Sequence, residues 1–392
     1  MPYAEGGVFN DADSHIMENR DWLASYADPK IRGRLRPLDR SMVGTASERL
    51  MDSMLGVIEQ RRGDADAMKR AESDLMVRKY HHALGAFDPA ERRRAVDLLG
   101  FNCQLVFTGS CLGQFWGGFG VQRIFDLEIL YGGARAHNRA IADFCSHDRR
   151  MIAVGFVPLD SPDLAVREIE AASALGCGAI WIPAVPTRTM SPTHPDMDPV
   201  WAAMQDLDLP FVLHLGGSPL FLRRAFANNG RTVELAQIAD DVRAKEYMNV
   251  HFGPEAFLSA MILDGVLERF PRLRGGVIEQ GAIWVVPWLR KLDIAQAAFA
   301  RFESYLALPH KASDYARRQL KFTPFPPEPV GWMIEQAGAE LFLFSTDFPH
   351  AEGGRDPLRR FRASLAENRI PPTAQERFFS RNFVDLIGAR AA

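Results

Sequence analysis

Five residues of this 392-residue sequence combine types and positions that could do chemistry: Asp13, His15, His214, Glu279 and Asp347. Each closes a short apolar run. Asp13 and His15 end GVFNDADSH, His214 ends PFVLH, Glu279 ends LRGGVIE and Asp347 ends LFLFSTD. Burying such groups at the end of an apolar strand is costly unless they are paired or bind a metal. Two imidazoles with carboxylates suit a divalent ion, zinc first and manganese next. Asp13, His15, His214 and Asp347 could ligate one ion and leave a position open for substrate or water. The competing reading is a set of core polar residues that satisfy one another.

The elements that must position these residues follow from the pattern. Eight short runs read as buried parallel strands: Gly7–Asp13, Gln104–Thr108, Met151–Pro158, Ala179–Pro183, Pro210–Leu215, Leu273–Glu279, Leu320–Phe325 and Leu341–Asp347. Amphipathic stretches alternate with them: Ser161–Leu175, Pro199–Leu207, Glu255–Phe270 and Gly281–Ala300. Such alternation implies βαβ units and predicts an α/β fold, a closed (β/α)₈ TIM barrel whose site lies at the carboxyl ends of the strands. A doubly wound sheet would favour a Gly-rich fingerprint after the first strand, where Asp13-Ser14-His15 stands instead.

Length alone would allow two or three domains. The barrel absorbs most of it, and the excess falls in Glu18–Gly100, far longer than an ordinary βα connection. This segment, 18–100, reads as a helical cap over one barrel mouth within a single 1–392 unit. Its helical patterns are Ala46–Glu59, Ala67–His82 and Pro89–Leu99. Its arginines (Arg61-Arg62, Arg92-Arg93-Arg94) alternate with acids, which predicts a solvated helical surface.

With 47% hydrophobic and 24% charged residues, the composition is that of a globular chain and excludes disorder or a fibre. A net charge of −3 argues against a dedicated nucleic-acid binder. No apolar run is long enough to span a membrane, and the first residues do not resemble a secretory signal. Cys103, Cys111, Cys145 and Cys177 show no CxxC pair, consistent with reduced thiols and a cytoplasmic location.

DADSHIME (Asp11–Glu18), FVLHLGGSP (Phe211–Pro219), Gly265–Asp293 and FSTDFPHAEG (Phe344–Gly353) together resemble the amidohydrolase superfamily. The similarity is to its aminocarboxymuconate-semialdehyde decarboxylase branch. The resemblance implies a metal-dependent barrel enzyme. Asp13 stands where many relatives have the first His of an HxH pair. His15, His214 and Asp347 match further ligands, and Asp347 also matches the proton-transfer group. AIWIP in strand four has no Lys to bridge two metals, so one divalent ion is implied, with zinc preferred over manganese. Decarboxylases of the branch resemble HxG at strand six, where this chain reads Glu279-Gln280-Gly281. Glu279 could be a general acid or base, could hold a cationic substrate group, or could orient His214.

Softer candidates remain. His251 either faces the site as a catalytic group or caps a helix. His350 and Trp116 are candidate substrate contacts, with Trp181, Phe221 and Trp284 in an aromatic wall. Glu18 reads slightly better as an exposed helix-start carboxylate than as a metal-supporting group, and His81-His82 as surface. The leading function is a nonoxidative decarboxylase, a C–C lyase of an aromatic or unsaturated carboxylic acid. The alternative is a hydrolase of an amide, ester or lactone using a metal-activated water. A non-catalytic binding barrel would be expected to lose the ligand set. The partners expected are a small-molecule substrate and further copies of the chain, as a homodimer or larger homo-oligomer.

Overall fold

The computed structural model describes residues 2–38, 56, 58–117, 123–216, 230 and 244–391. Seven strands form one all-parallel sheet in chain order: β1 (Asn10–Ile16), β2 (Cys103–Thr108), β3 (Met151–Phe156), β4 (Ala179–Trp181), β5 (Phe211–His214), β6 (Gly275–Ile278) and β7 (Leu320–Phe322). Every strand residue is buried, as befits a sheet covered by helices.

The eighth position is filled by residues 342–348. Their backbone joins β7 through Leu343 N–H to Phe322 O (2.9 Å), and β1 through Ala12 N–H to Phe344 O (3.0 Å) and His15 N–H to Phe348 O (2.7 Å). The sheet therefore closes on itself, and the (β/α)₈ expectation holds. Helices lie on each connection: Pro89–Leu99, Leu127–Cys145, Pro162–Ala174, Asp198–Asp206, Phe252–Leu263, Val285–Phe299, Val330–Ala337 and Pro357–Glu367. Pro at the first helical position and Asp at the N-cap start several of them, such as Asp88-Pro89 and Asp356-Pro357.

Several boundaries differ from the sequence reading. The first strand runs to Ile16, so His15 lies inside it and not beyond it. Acidic residues do not end this strand because a register shift between Asp11 and Ser14 lets both faces find partners. The expected helix Glu255–Phe270 is split by Gly265 (φ 72°) into Phe252–Leu263 and Val266–Arg269. Ala67–His82 becomes the helix Ala65–Ser73 and a separate turn at Tyr80–His82. Most of Ala46–Glu59 lies outside the described residues.

The 18–100 segment is divided. Trp22–Tyr26 packs on the outer helix Leu127–Cys145, while Pro89–Leu99 takes the place of the first crossover helix. The turn at Tyr80 reaches the loop after the eighth position, with Tyr80 N–H donating to Pro349 O at 2.9 Å. Two arginines read as solvated are buried. Arg61 pairs with Glu91 at 2.9 Å, and Arg92 donates to His15 O at 3.0 Å beneath the Phe348 ring. Arg92 shares the inward stripe of its helix with Ala95, Val96 and Leu99, which is why it faces the barrel.

At the opposite end, Asn382–Ile387 packs against β1 and β7, and Arg390 donates to Cys177 O at 2.8 Å. The chain's end thus covers the barrel floor.

β5 and β6 carry two site residues and depend on close packing. A Cβ at Gly275 would meet the ring of Phe211, its register partner, at 2.2 Å. Gly275→Ala is expected to lower stability by about 1–3 kcal/mol through this overpacking. A fall in the urea midpoint with an unchanged m-value checks it.

Candidate metal centre

His15 and Asp13 leave β1 on one side, while Ser14 turns away and donates to Leu105 O at 2.7 Å. His15 Nδ1 lies 3.1 Å from Thr108 O. A carbonyl only accepts, so Nδ1 carries the proton and Nε2 turns a lone pair into the mouth. Among the described residues that Nε2 makes no hydrogen bond, although Asp13 Oδ1 and Asp347 Oδ1 lie 3.2 and 3.4 Å away. His214 Nε2 lies 3.3 Å from both Asp13 Oδ1 and Glu279 Oε2.

Two overlapping groups result. Ligand atoms of Asp13, His15, His214 and Glu279 all fall within 4.8 Å of one another, as do those of His15, Asp347 and His350. Both groups are buried, and His15 belongs to each. An imidazole fixed in the ligating tautomer, facing several carboxylate oxygens, fits a divalent ion. The sequence reading grouped Asp347 with Asp13, His15 and His214; the geometry puts Glu279 in that first group.

Backbone geometry aims the two outer carboxylates. Glu279 (φ 56°) and Asp347 (φ 53°) are both left-handed, a strained state for non-glycine residues that is found at functional sites. Thr323 Oγ1 accepts the Glu279 amide at 3.0 Å. His350 Nδ1 sits 3.0 Å from Asp347 Oδ1, and its ring stacks on His15 at 4.0 Å.

Electrostatics follow burial. Burial raises the Asp13 carboxyl, but its close approach to the imidazoles of His15 (3.2 Å) and His214 (3.3 Å) outweighs that and holds the group well below its usual range. Burial pushes His214 down to about 4 against the pull of Asp13. Asp11, missed by the sequence reading, is pushed up to about 7 by burial. It accepts Thr346 N–H (2.8 Å), Thr346 Oγ1–H (2.6 Å) and Gln104 Nε2–H (2.9 Å), which fixes the residue before Asp347. Its signal was its place two residues before Asp13.

Two expectations of exposure are corrected. Glu18 is buried and accepts the amides of Ser110 (3.1 Å) and Cys111 (3.3 Å), pinning the loop after β2. His81 is buried with Nε2 3.1 Å from Glu18 O. Both face inward because the 18–100 segment folds back along β1. Lys79, also unforeseen, is half-buried near Asp347 and Glu352, and its Nζ donates to Gly354 O at 2.6 Å.

His251 belongs to neither group. It stacks on Trp284 at 5.6 Å and lies 3.6 Å from Glu255. Trp116 is the far end of a ring series, Trp116–Phe156–Trp181–His214, with centroids 5.9, 5.6 and 4.8 Å apart. Trp181 lines a small cavity with His15, His214, Glu279 and His350. Phe221 lies outside the described residues.

A parallel α/β barrel with imidazoles and carboxylates converging at the carboxyl ends of its strands defines the class of metal-site barrels. The family model described as Amidohydrolase matches residues 118–386, over half of the chain, and the chain belongs to that family. No curated protein matches the sequence. Among solved structures, an amidohydrolase from Mycobacterium avium subsp. paratuberculosis K-10 is similar at 19% identity and TM-score 0.73, covering 98% of this chain and 100% of that one. The 5-carboxyvanillate decarboxylase of Novosphingobium aromaticivorans DSM 12444, complexed with manganese and 4-hydroxy-3-methoxy-5-nitrobenzoic acid, is similar at 20% identity and TM-score 0.62, covering 97% and 96%. A 2,6-dihydroxybenzoate decarboxylase from Rhizobium is similar at 16% identity and TM-score 0.58, covering 97% and 99%.

Behind His15 a buried polar series supports Thr108. The Thr108 hydroxyl donates to His137 Nε2 (3.0 Å), His137 Nδ1–H to Asn138 Oδ1 (2.9 Å), and Asn138 Nδ2–H to Glu168 (3.1 Å). Burial pushes His137 down to about 4 from 6.5, so it is neutral when folded. A buried base with a lowered pKa contributes stability that is present above pH 6.5 and lost as the pH falls towards 4. Its share of that loss is about 2 kcal/mol at pH 5. His137→Gln is expected to lose that much less stability than the parent between pH 7 and 5, as read by denaturant unfolding at each pH.

Proposed function

We propose that this chain is a metal-dependent nonoxidative decarboxylase of an aromatic or unsaturated carboxylic acid. The observation that carries the metal reading is His15, locked by Thr108 O in the tautomer whose Nε2 faces Asp13 and Asp347. The similarity to two decarboxylases of hydroxylated benzoic acids supports the reaction class. We take Asp13, His15 and His214 as the ligands of one divalent ion, with Asp347 or Glu279 completing the set. The imidazoles suit zinc, and the carboxylates with the manganese-bound relative favour manganese equally.

When bound, the ion would supply charge stabilisation and orientation to a carboxylate substrate. The chain's own residues supply the rest. Asp347, held by His350, delivers a proton to the carbon bearing the carboxylate. The C–C bond then breaks, its electron pair returns to the ring, and carbon dioxide leaves. Lys79, beside Asp347, adds positive charge for an acidic substrate. Phe107 and Trp181 pack on the His214 ring at 4.2 and 4.8 Å and keep water from that side. His251, stacked on Trp284, and Trp116, packed on Phe156, stand outside both ligand groups.

A second reading rests on Glu279. A strained, buried carboxylate 3.3 Å from His214 is also a suitable general base for hydrolysis of an amide, ester or lactone. We further read the chain as one unit, with 18–100 as an insertion that shapes substrate access. Four buried free thiols support a cytoplasmic setting. The exposed Ile294, Phe299 and Phe302 support a homodimer or larger homo-oligomer. No described helix is long and apolar enough to cross a membrane.

Elemental analysis of purified protein is expected to find about one zinc or manganese ion per chain. His15→Gln and His214→Gln should each lose it, whereas His251→Ala should retain it; metal kept by both first variants would remove the assignment. On a panel of hydroxybenzoates the metal-loaded protein should release carbon dioxide. Asp347→Asn should lower kcat by about 10²–10⁴-fold. Solvent oxygen-18 appearing in a product carboxylate, with no carbon dioxide released, would instead establish the hydrolase.

A further inference from the structure

The floor of the barrel holds a second concentration of charge, of opposite sign to the mouth. A cavity of about 220 Å³ lies between Arg274 just before β6, the chain entering β7 and the C-terminal segment. Three of its arginines have carboxylate partners: Arg274 with Asp208 (2.8 Å), Arg317 with Glu340 (2.9 Å) and Arg377 with Asp385 (3.2 Å). Among the described residues two cations do not. There Arg318 bonds to the Gln319 side chain and Leu267 O, and packs over the Tyr315 ring.

Lys321 is the sharper case. It stands in the middle of β7, is 6% exposed, and borders the cavity. Its ammonium has one long contact, 3.4 Å to Leu320 O, and among the described residues no carboxylate within 4.0 Å. A buried ammonium with a single weak acceptor is costly, and a strand residue of any apolar type would avoid that cost. The neighbouring carboxylates are already engaged by Arg317 and Arg377, so the local excess is two positive charges facing one water-sized-to-ligand-sized space.

We propose that this floor cavity binds a small multivalent oxyanion, a phosphate group or a compact polycarboxylate, with Lys321 and Arg318 as its principal contacts. The volume exceeds the roughly 30 Å³ share of a single water several-fold and falls short of a drug-sized pocket. Arg377 and Asp385 come from the C-terminal segment, while Arg274 directly precedes β6 and Lys321 lies in β7. The cavity sits at the opposite end of the strands from His15 and Asp347, and the proposal does not rest on the reaction assigned to the mouth.

The test is thermal unfolding and calorimetric titration of the full chain with inorganic phosphate and with malonate, each against sodium chloride at equal ionic strength. At least one anion should raise Tm by about 3 °C or more at saturation. Lys321→Met should abolish that shift, and Arg318→Gln, at an exposed position, should weaken the affinity several-fold. His214→Gln should keep the shift, which separates the floor from anion binding at the mouth. A response to phosphate alone or to malonate alone identifies the anion class. No shift above the chloride control, or an equal shift in Lys321→Met, overturns the proposal.

Discussion

The burial of several ionisable groups at one end of an apolar barrel is the constraint on which the rest of this structure turns. Asp13, His15, His214, Glu279 and Asp347 are all buried at or near the carboxyl ends of the barrel strands. Isolated, each would cost several kcal/mol to remove from water. Together they form a setting for a shared cation, because each imidazole stands between two carboxylates. His15 is the shared member, so its orientation governs both groups. Two carbonyl contacts secure it: Nδ1 to Thr108 O on the neighbouring strand, and its own carbonyl to Arg92 from the first crossover helix.

This explains why so much of the fold around β1 is polar yet buried. Asp11 fixes Thr346, Glu18 fixes the amides after β2, and His81 reads the Glu18 carbonyl. Each of these is a hydrogen bond between segments distant in sequence. Such bonds bring the two ends of the sheet together, since residues 342–348 must pair with β1 to close the barrel. The closure and the site are thus one feature: the bond from Asp347 N–H to Asp13 O belongs to both. The two ends of the barrel then differ in sign, with carboxylates and imidazoles at the mouth and an arginine–lysine excess at the floor.

Much of this was legible in the sequence. Apolar runs of four to eight residues separated by helical periods gave the strand count, and polar residues closing those runs marked the mouth. His350 was legible as a neighbour of Asp347, and the Amidohydrolase match agrees with the motif reading. What misled were residues whose type is usually exposed. Arg61, Arg92, Glu18 and His81 are polar in sequence and buried in the fold. For Arg92 the helical stripe with Ala95, Val96 and Leu99 was a usable signal; for Glu18 nothing local announced the two backbone amides awaiting it. The end of β1 was misplaced for the same reason, because acids at Asp11 and Asp13 imitate the end of a strand.

The sequence by itself determined the periodicities, and with them the alternating α/β architecture and the identity of the donor residues, because these depend only on local order and side-chain type. Tertiary structure decided how the donors are grouped. Glu279 joins Asp13, His15 and His214, while Asp347 pairs with His350, because left-handed backbone at Glu279 and Asp347 swings each carboxylate across the mouth. Only the fold could set those two dihedrals, since their strain is held by contacts from β1, β7 and the loop after residue 347 rather than by any neighbour in sequence.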